Sequence, residues 1–156
     1  MRLTIFAAAL ASAAMISGTA MADTPMPMDS PIMIDGISTV CTGIGDGAQN
    51  DARWASYPIR IEFSNRAAQY LSGAHVVLSN ASGKALSAFD CAGAWVLLKV
   101  PAGNYKVTAN LLWNQGGGVR SATFSPPESG QKRVVLQFPI GEAAAKTTAT
   151  APSGTH

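Results

Sequence analysis

The chain has 156 residues, of which 47% are hydrophobic and 13% are charged, and its net charge is +2 at neutral pH. This length is enough for one hydrophobic core and not for two. The sequence has no stripe or block of basic residues of the kind that neutralises phosphates, which argues against nucleic acid as the main partner. We therefore expect one small domain that does not bind nucleic acid.

The first 22 residues have the pattern of an export signal. Arg2 precedes an apolar run from Leu3 to Ile16, and the segment ends in Ala20-Met-Ala22, the small-x-small pattern of a signal peptidase site. The apolar run is shorter than the about 20 residues that a membrane-spanning helix needs, so we expect cleavage near Ala22 and no membrane span. Cleavage removes one arginine and no acid, leaving ten basic and nine acidic residues and a net charge of +1. The predicted location is the periplasm or the exterior.

The chain has two cysteines, Cys41 and Cys91. In an oxidising compartment such a pair is expected to form a disulfide. Closing a loop of about 50 residues contributes on the order of 4 kcal/mol to stability in the chain-entropy model. A redox-active pair or a metal site is the alternative, but the sequence has no Cys-x-x-Cys motif and no histidine near either cysteine.

Residues 23–35 contain three prolines and three methionines. Proline lacks a backbone donor and holds the backbone extended, so this segment is predicted to be a flexible arm. A short strand over residues 36–42 then reaches Cys41.

A short helix is predicted after this strand. Asp46 is suited to cap a helix of about two turns that runs to Tyr57 and stops at Pro58. Trp54 and Tyr57 lie three residues apart, so both would face the sheet.

The rest of the chain alternates short strands with turn residues. Period-two alternation and short apolar runs bounded by Gly, Pro and Asn predict the strands, and Asn80 to Gly83 has the composition of a hairpin turn. The predicted strands are 59–63, 74–79, 84–89, 95–100, 105–111, 119–124 and 132–138. This spacing predicts an all-β fold, a seven-stranded antiparallel Greek-key sandwich over residues 36–139 with one short N-terminal helix. Residues 140–156, rich in Ala, Thr, Ser and Pro, are predicted to form a disordered tail.

Three motifs resemble a known family. Residues 82–84 read Ser-Gly-Lys, residues 93–98 read Gly-Ala-Trp-Val-Leu-Leu, and residues 100–107 read Val-Pro-Ala-Gly-Asn-Tyr-Lys-Val. Together with residues 131–136 they resemble the carboxypeptidase regulatory-like, or transthyretin-like, β-sandwich modules of bacterial exported proteins. The resemblance covers residues 74–138 and implies this fold and an exported location; it implies little about function.

Catalysis is not expected. A hydroxyisourate hydrolase of the transthyretin-related class needs several histidines and a Tyr-Arg-Gly-Ser carboxyl terminus, whereas this chain has His75 and His156 and ends in Ser-Gly-Thr-His. His75 lies in an alternating strand, which favours a half-exposed strand residue over a general base. The sequence also has neither a Gly-x-Ser-x-Gly elbow nor a metallohydrolase motif.

Metal and phosphate sites are also weakly supported. Asp46, Asn50 and Asp51 have acidic-loop character, but their spacing does not match an EF-hand, and capping of the short helix explains them better. Gly43, Gly45 and Gly47 alternate as in phosphate loops, yet no lysine follows at the required place. Three thioethers, Met26, Met28 and Met33, are soft donors of the type that holds Cu(I), and this alternative stays open. We expect no cofactor and no metal.

One aromatic is predicted to be exposed. Trp113 directly precedes Asn-Gln-Gly-Gly-Gly, so Trp113, Asn114 and Gln115 form a possible binding rim at a loop tip. The sequence therefore predicts an exported, non-catalytic module that binds an unknown protein or an envelope polysaccharide, or serves as an envelope accessory protein. The alternatives are a carbohydrate-binding module that uses exposed aromatics and, with less support, a small transthyretin-related hydrolase.

Overall fold

A computed structural model describes residues 24–141 of the chain. The predicted signal peptide, residues 1–22, and residues 142–156 of the predicted tail lie outside the described residues. Within the described range no helix is long and apolar enough to cross a membrane. The helical elements are α1 (Gly45–Gln49) and a 3₁₀ helix (Ala52–Ser56). The strands are β1 (Thr24–Pro25), β2 (Ile32–Ile34), β3 (Ile37–Thr42), β4 (Ile59–Asn65), β5 (Ala74–Asn80), β6 (Ala85–Cys91), β7 (Trp95–Lys99), β8 (Tyr105–Leu111), β9 (Val119–Phe124) and β10 (Lys132–Phe138).

The strands form two five-stranded sheets that enclose one core. The first sheet has the order β1-β6-β5-β8-β9, and the second has the order β10-β4-β7-β3-β2. Alternate residues of both sheets form one buried cluster, as period-two patterning requires. Its fully buried members include Phe63 and Leu98 from the second sheet and Leu78 and Phe89 from the first.

The all-β prediction is confirmed, but the predicted count of seven strands is wrong. The described residues contain nine strands of three or more residues and the two-residue β1. All the strand segments recognised in the sequence are present as β3 to β10, and β1 and β2 are additional. The arrangement is also not purely antiparallel, because β1 pairs with β6 and β10 pairs with β4 in parallel.

The segment predicted to be a flexible arm contributes both additional strands. Met26 is buried in the core, and β2 pairs with β3 through the two-residue turn Asp35-Gly36. Both turn residues have positive φ, +49° and +81°, which is the requirement of a type I′ turn and the reason for the Asp-Gly preference there. The sandwich therefore starts earlier than residue 36, because Pro25 is tolerated in the edge strand β1 and the other two prolines lie outside the strands.

We expect Gly36→Ala to reduce the free energy of unfolding by about 1 kcal/mol, because an L side chain is disfavoured in the left-handed region. No atom lies within 4 Å of a Cβ built on Gly36, so the cost is conformational and not steric. Gly47→Ala is the matched control, since Gly47 has the same open space without a positive φ. Urea denaturation measures both; equal stability of Gly36→Ala and wild type would mean that the β2–β3 turn does not form.

The predicted helix from Asp46 to Tyr57 is two shorter pieces. Asp46 is not the cap of the first, because Ile44 holds that position without a side-chain hydrogen bond. Asp51 caps the 3₁₀ helix by accepting the backbone N–H of Arg53 at 2.9 Å. The Arg53 guanidinium also donates to the Asp51 carboxylate, and these hydrogen bonds hold the pKa of Asp51 below its usual value. This capping role is the one predicted for the acidic loop, now assigned to Asp51.

Trp54 and Tyr57 share a face that packs on the sheet, as predicted. Both are 4% exposed, and they form a buried cluster with Val40 and Leu97 on the outer face of the second sheet. The second sheet is therefore covered on both faces.

The outer face of the second sheet also holds Trp95. Val96 and Leu98 of the same strand belong to the core between the sheets, so Trp95 points the opposite way. Its burial, with 4% of the residue exposed, confirms the prediction of a buried tryptophan. The structure shows, however, that Trp95 is buried on the outer face of the second sheet and not in the core between the two sheets.

Three neighbours cover the Trp95 ring. The guanidinium of Arg60 lies 4.5 Å from the ring centroid, and Tyr70 meets the ring edge-on with centroids 5.7 Å apart. Gly43 lies against the indole so closely that a Cβ there would be 2.6 Å from Cγ. Glycine is needed at position 43 for this contact and for its φ of +92°.

A buried carboxylate lies next to this tryptophan. Glu62, which pairs with Trp95 across the sheet, is 1% exposed. Arg133 donates to Glu62 from Nε at 3.0 Å, and Nε of Arg60 lies 2.8 Å from a Glu62 oxygen. Two guanidinium groups therefore compensate the buried charge, and the carboxylate raises the pKa of Arg133.

Two tight turns shape the end of the sandwich where β6 and β8 begin. In the β5–β6 hairpin, Oδ1 of Asn80 accepts hydrogen bonds from the backbone N–H groups of Ser82 and Lys84. Between β7 and β8, the Tyr105 hydroxyl donates to the carbonyl of Pro101 at 2.7 Å. This second turn carries the chain from one sheet to the other, and the sequence predicted both turns.

Candidate functional site: the Trp113 loop

The loop of residues 112–118 joins β8 to β9 at the opposite end of the sandwich. Trp113 at its tip is 66% exposed, which agrees with the prediction that this tryptophan is a surface residue. Trp54 and Trp95 are each 4% exposed, so Trp113 is the tryptophan of the described residues that offers its ring to solvent. An indole combines a large apolar surface with one polar N–H group, which suits it to binding.

The backbone of this loop is held in an uncommon conformation. Trp113 and Asn114 have φ values of +57° and +55°, and each non-glycine residue in the left-handed region costs of order 1–2 kcal/mol. Gly116, Gly117 and Gly118 also have positive φ, which costs glycine little. Surrounding contacts must therefore compensate for Trp113 and Asn114.

Gln115 supplies these contacts. Its side-chain amide Nε2 donates to the carbonyl of Ser72 at 2.9 Å and to the carbonyl of Leu112 at 3.1 Å. The backbone N–H of Leu112 also donates to the carbonyl of Gly73 at 3.0 Å. These bonds tie the loop to the segment that precedes β5 and hold the tip in one position.

Gly73 is the surface on which the indole lies. It has a φ of +86°, and a Cβ at this position would overlap the Cζ3 atom of Trp113. The six-membered ring therefore contacts the glycine backbone, and glycine is required both for this close approach and for its φ. The rest of the ring faces solvent.

The disulfide supports Gly73 from below. Cys41 of β3 and Cys91 of β6 form the predicted bridge, which joins the two sheets through the core. The backbone N–H of Gly93 donates to Sγ of Cys41 at 3.2 Å, and the Gly93 carbonyl accepts the N–H of Gly73 at 3.1 Å. A continuous set of contacts therefore runs from the disulfide to the Trp113 ring.

The structure separates the three predicted rim residues into two roles. Trp113 and Asn114 are exposed at the tip. Gln115 is partly buried, and its side-chain amide donates inward to the backbone carbonyls of Ser72 and Leu112. Gln115 therefore positions the tip, and Trp113 and Asn114 remain as the candidate contact residues.

Three further apolar side chains are exposed at this end of the sandwich, and one of them is Val119, the first residue of β9, which is 61% exposed. Tyr70 is 43% exposed and lies beside the end of β4, and Ile44, which follows β3, is 51% exposed. The predicted binding rim does not include them, although Tyr70 is one of the aromatic residues that could stack on a sugar. Tyr70 lies in a polar connection and Ile44 in a glycine-rich one. An apolar residue in such a segment is expected to be exposed, and this is the sequence signal that could have identified both.

The other predicted chemistry falls elsewhere. His75 is half-buried on the outer face of the first sheet, and its Nδ1 lies 2.7 Å from a carboxylate oxygen of Asp90 on the neighbouring strand. No group of three or more His, Cys, Asp or Glu side chains with metal-binding geometry occurs in residues 24–141.

The three methionines considered for copper have different surroundings. Met26 is buried in the core, Met33 is 66% exposed on the edge strand β2, and Sδ of Met28 lies 3.4 Å from Sγ of the disulfide-bonded Cys41. The structure therefore uses the first of them as a core residue.

Comparison of the chain with protein-family models and with curated proteins finds no match. The geometry of the Trp113 loop is therefore the basis for assigning a function.

Proposed function

We propose that this protein is an exported, non-catalytic β-sandwich module that binds a protein of the cell envelope through the tip of the Trp113 loop. The observation that carries the proposal is a 66% exposed indole on a loop that the Gln115 side chain anchors. Aromatic anchors supply much of the binding energy of protein interfaces. A loop that is already ordered loses less conformational entropy on binding than a flexible one.

The resemblance to carboxypeptidase regulatory-like modules is part of this proposal. In the structure, the motifs that carry the resemblance lie in the β5–β6 hairpin, in β7 and in the turn to β8. We propose a Greek-key topology of the transthyretin-like kind for this unit. The buried disulfide between the sheets is compatible with an exported protein.

Replacing Trp113 should abolish binding without unfolding the protein. We expect the Trp113→Ala variant to lose the envelope proteins that the wild type captures, because the anchor ring is removed, whereas Trp113→Phe should retain part of the binding. The measurement is quantitative affinity capture from an envelope extract with wild-type, Trp113→Ala and Trp113→Phe proteins as matched baits. Identical sets of proteins on the wild-type and Trp113→Ala baits would contradict the proposal.

A carbohydrate-binding module is the second candidate. The observation that favours it is the exposure of Tyr70 at the same end of the sandwich, because a sugar platform uses more than one ring. The two candidates differ in their dependence on Tyr70. Sugar binding should need both Tyr70 and Trp113, so loss of envelope-polysaccharide binding in Tyr70→Ala would favour it over the protein-binding role.

A further inference from the structure

Three lysines that are far apart in the sequence lie at the same end of the sandwich, opposite Trp113. Lys84 precedes β6, Lys106 is the second residue of β8, and Lys132 is the first residue of β10. Arg53, in contrast, has Asp51 as an ion-pair partner. Within residues 24–141 no ion pair or side-chain hydrogen bond is formed by the amine of any of the three lysines. Their charges are therefore available to a ligand.

The lysines line neighbouring depressions around the β7–β8 turn. A cavity of about 510 Å³ is lined by Lys84 and by the apolar groups of residues that include Leu86, Pro101 and Tyr105. This volume lies within the range of small-molecule sites, roughly 300–1,000 Å³. A second depression, lined by Lys106 and Tyr105 among others, adjoins it.

A third depression extends this surface to Lys132. It shares Asn104 and Thr123 with the second depression and is also lined by Ser125. We call the three depressions together, with Lys84, Asn104, Lys106, Thr123 and Lys132 in their linings, the basic groove. Amide and hydroxyl groups lie between its charged groups.

The walls of the basic groove are rigid. Tyr105 is tied to Pro101 by its hydroxyl and stacks on Phe124 with ring centroids 5.7 Å apart. The Asn80 side chain closes the hairpin next to Lys84 with three hydrogen bonds. A ligand would therefore meet preformed walls and would have to order only the lysine side chains.

We infer that the basic groove binds an acidic oligosaccharide, a chain of sugars that carry carboxylates. Several unpaired amines along one groove match repeated anionic groups better than a single anion. The amide of Asn104 and the hydroxyls of Thr123 and Ser125 match sugar hydroxyls, and the apolar part of the cavity matches the C–H face of a sugar ring.

Two other polyanions fit the groove less well. Single-stranded nucleic acid is held by stacking on exposed aromatic rings, whereas the exposed aromatic residues of the described chain, Tyr70 and Trp113, lie at the opposite end. An acidic peptide would gain affinity by pairing its backbone with a strand edge. The basic groove runs across strand ends and turns, and these do not offer a strand edge with which a peptide backbone could pair. The charges at this end also include Asp35, which lines the cavity beside Lys84.

The inference is tested with oligogalacturonate of six sugars and the folded, disulfide-bonded protein. Its methyl ester, which has the same sugar backbone without the charge, is the control ligand. We expect the acid form to bind by calorimetry at low salt and to weaken as salt rises, because exposed charges are screened. The triple variant Lys84→Gln/Lys106→Gln/Lys132→Gln should weaken binding by about tenfold or more, since three charge contacts are removed together.

Lys99→Gln is the matched control for the single variants. Lys99 carries the same charge, but its amine lies 4.5 Å from the Tyr57 ring centroid and outside the basic groove. We expect Lys99→Gln and Trp113→Ala to bind as the wild type does, and each single groove variant to bind more weakly.

Several results would overturn the inference: no binding at low salt, equal binding of the ester, or equal losses in Lys99→Gln and the groove variants. Tighter binding of a glutamate hexapeptide or of a DNA hexamer through the same lysines would also overturn it, because the ligand class would be different.

Discussion

Trp95→Ala should reduce the free energy of unfolding by about 3 kcal/mol, whereas Trp113→Ala should reduce it by less than about 1 kcal/mol. Trp95 is 4% exposed and has Arg60, Tyr70 and Gly43 around its ring, so its removal leaves a cavity. The indole of Trp113 contacts Gly73 and is otherwise in solvent, so its removal leaves none.

Thermal and urea denaturation followed by circular dichroism measure the two effects. For a domain of this size, a loss of about 3 kcal/mol corresponds to a decrease in Tm of roughly 10 °C or more. Trp113→Phe and Trp95→Phe are the conservative controls, and we expect only Trp95→Phe to be destabilised measurably. Equal stability of the two alanine variants would refute the assignment of Trp95 as buried and Trp113 as exposed.

Loss of the disulfide should be the second large effect. We expect Cys41→Ala/Cys91→Ala to lower the free energy of unfolding by about 4 kcal/mol, because the bridge closes a long loop in the unfolded chain. The two cysteines are 50 residues apart and are fully buried between the sheets. The double variant avoids leaving one unpaired thiol in the core.

Reduction provides the control for this prediction. Wild-type protein in reductant, with both thiols confirmed by labelling under denaturing conditions, should unfold at the same urea concentration as the double variant. The double variant itself should not respond to reductant. Two free thiols in protein folded in an oxidising compartment would contradict the bridge, and an unchanged Tm after full reduction would contradict its energetic role.

The disulfide also has a predicted effect on the candidate site. Gly93 donates to Cys41 and accepts from Gly73, so removing the bridge loosens the support of Trp113. We expect the indole N–H signal of Trp113 to shift in the double variant, while that of Trp54, which donates to the Ala48 carbonyl at 2.9 Å, stays in place.

The hairpin at Asp35-Gly36 has a recognisable signal in the sequence. Residues 32–37 read Ile-Met-Ile-Asp-Gly-Ile, in which Asp-Gly between apolar residues is a strong signal of a two-residue hairpin. The neighbouring prolines led to the interpretation as a flexible arm. A proline removes the backbone N–H donor only at its own position. Pro27 and Pro31 lie between β1 and β2 and therefore do not prevent either strand from forming.

The sequence by itself determined the local elements and the disulfide. Period-two alternation and Pro/Gly turns depend on neighbouring residues, so β3 to β10 could be recognised, and a chain with two cysteines has one possible intramolecular pairing. The exposure of Trp113 followed from the glycines next to it. Each of these inferences needs only the neighbouring residues in the chain or, for the disulfide, the number of cysteines.

Only the tertiary structure decided which groups meet. The run Trp-Val-Leu-Leu of β7 is apolar on both faces, so alternation could not show that Trp95 lies on the outer face of the second sheet. The anchoring of Gln115 to Ser72 depends on strand order and register between distant segments, and so does the position of Lys84, Lys106 and Lys132 at one end of the sandwich. Strand order and register arise from the packing of the whole chain, because the sequence of one strand does not specify which other strand it pairs with.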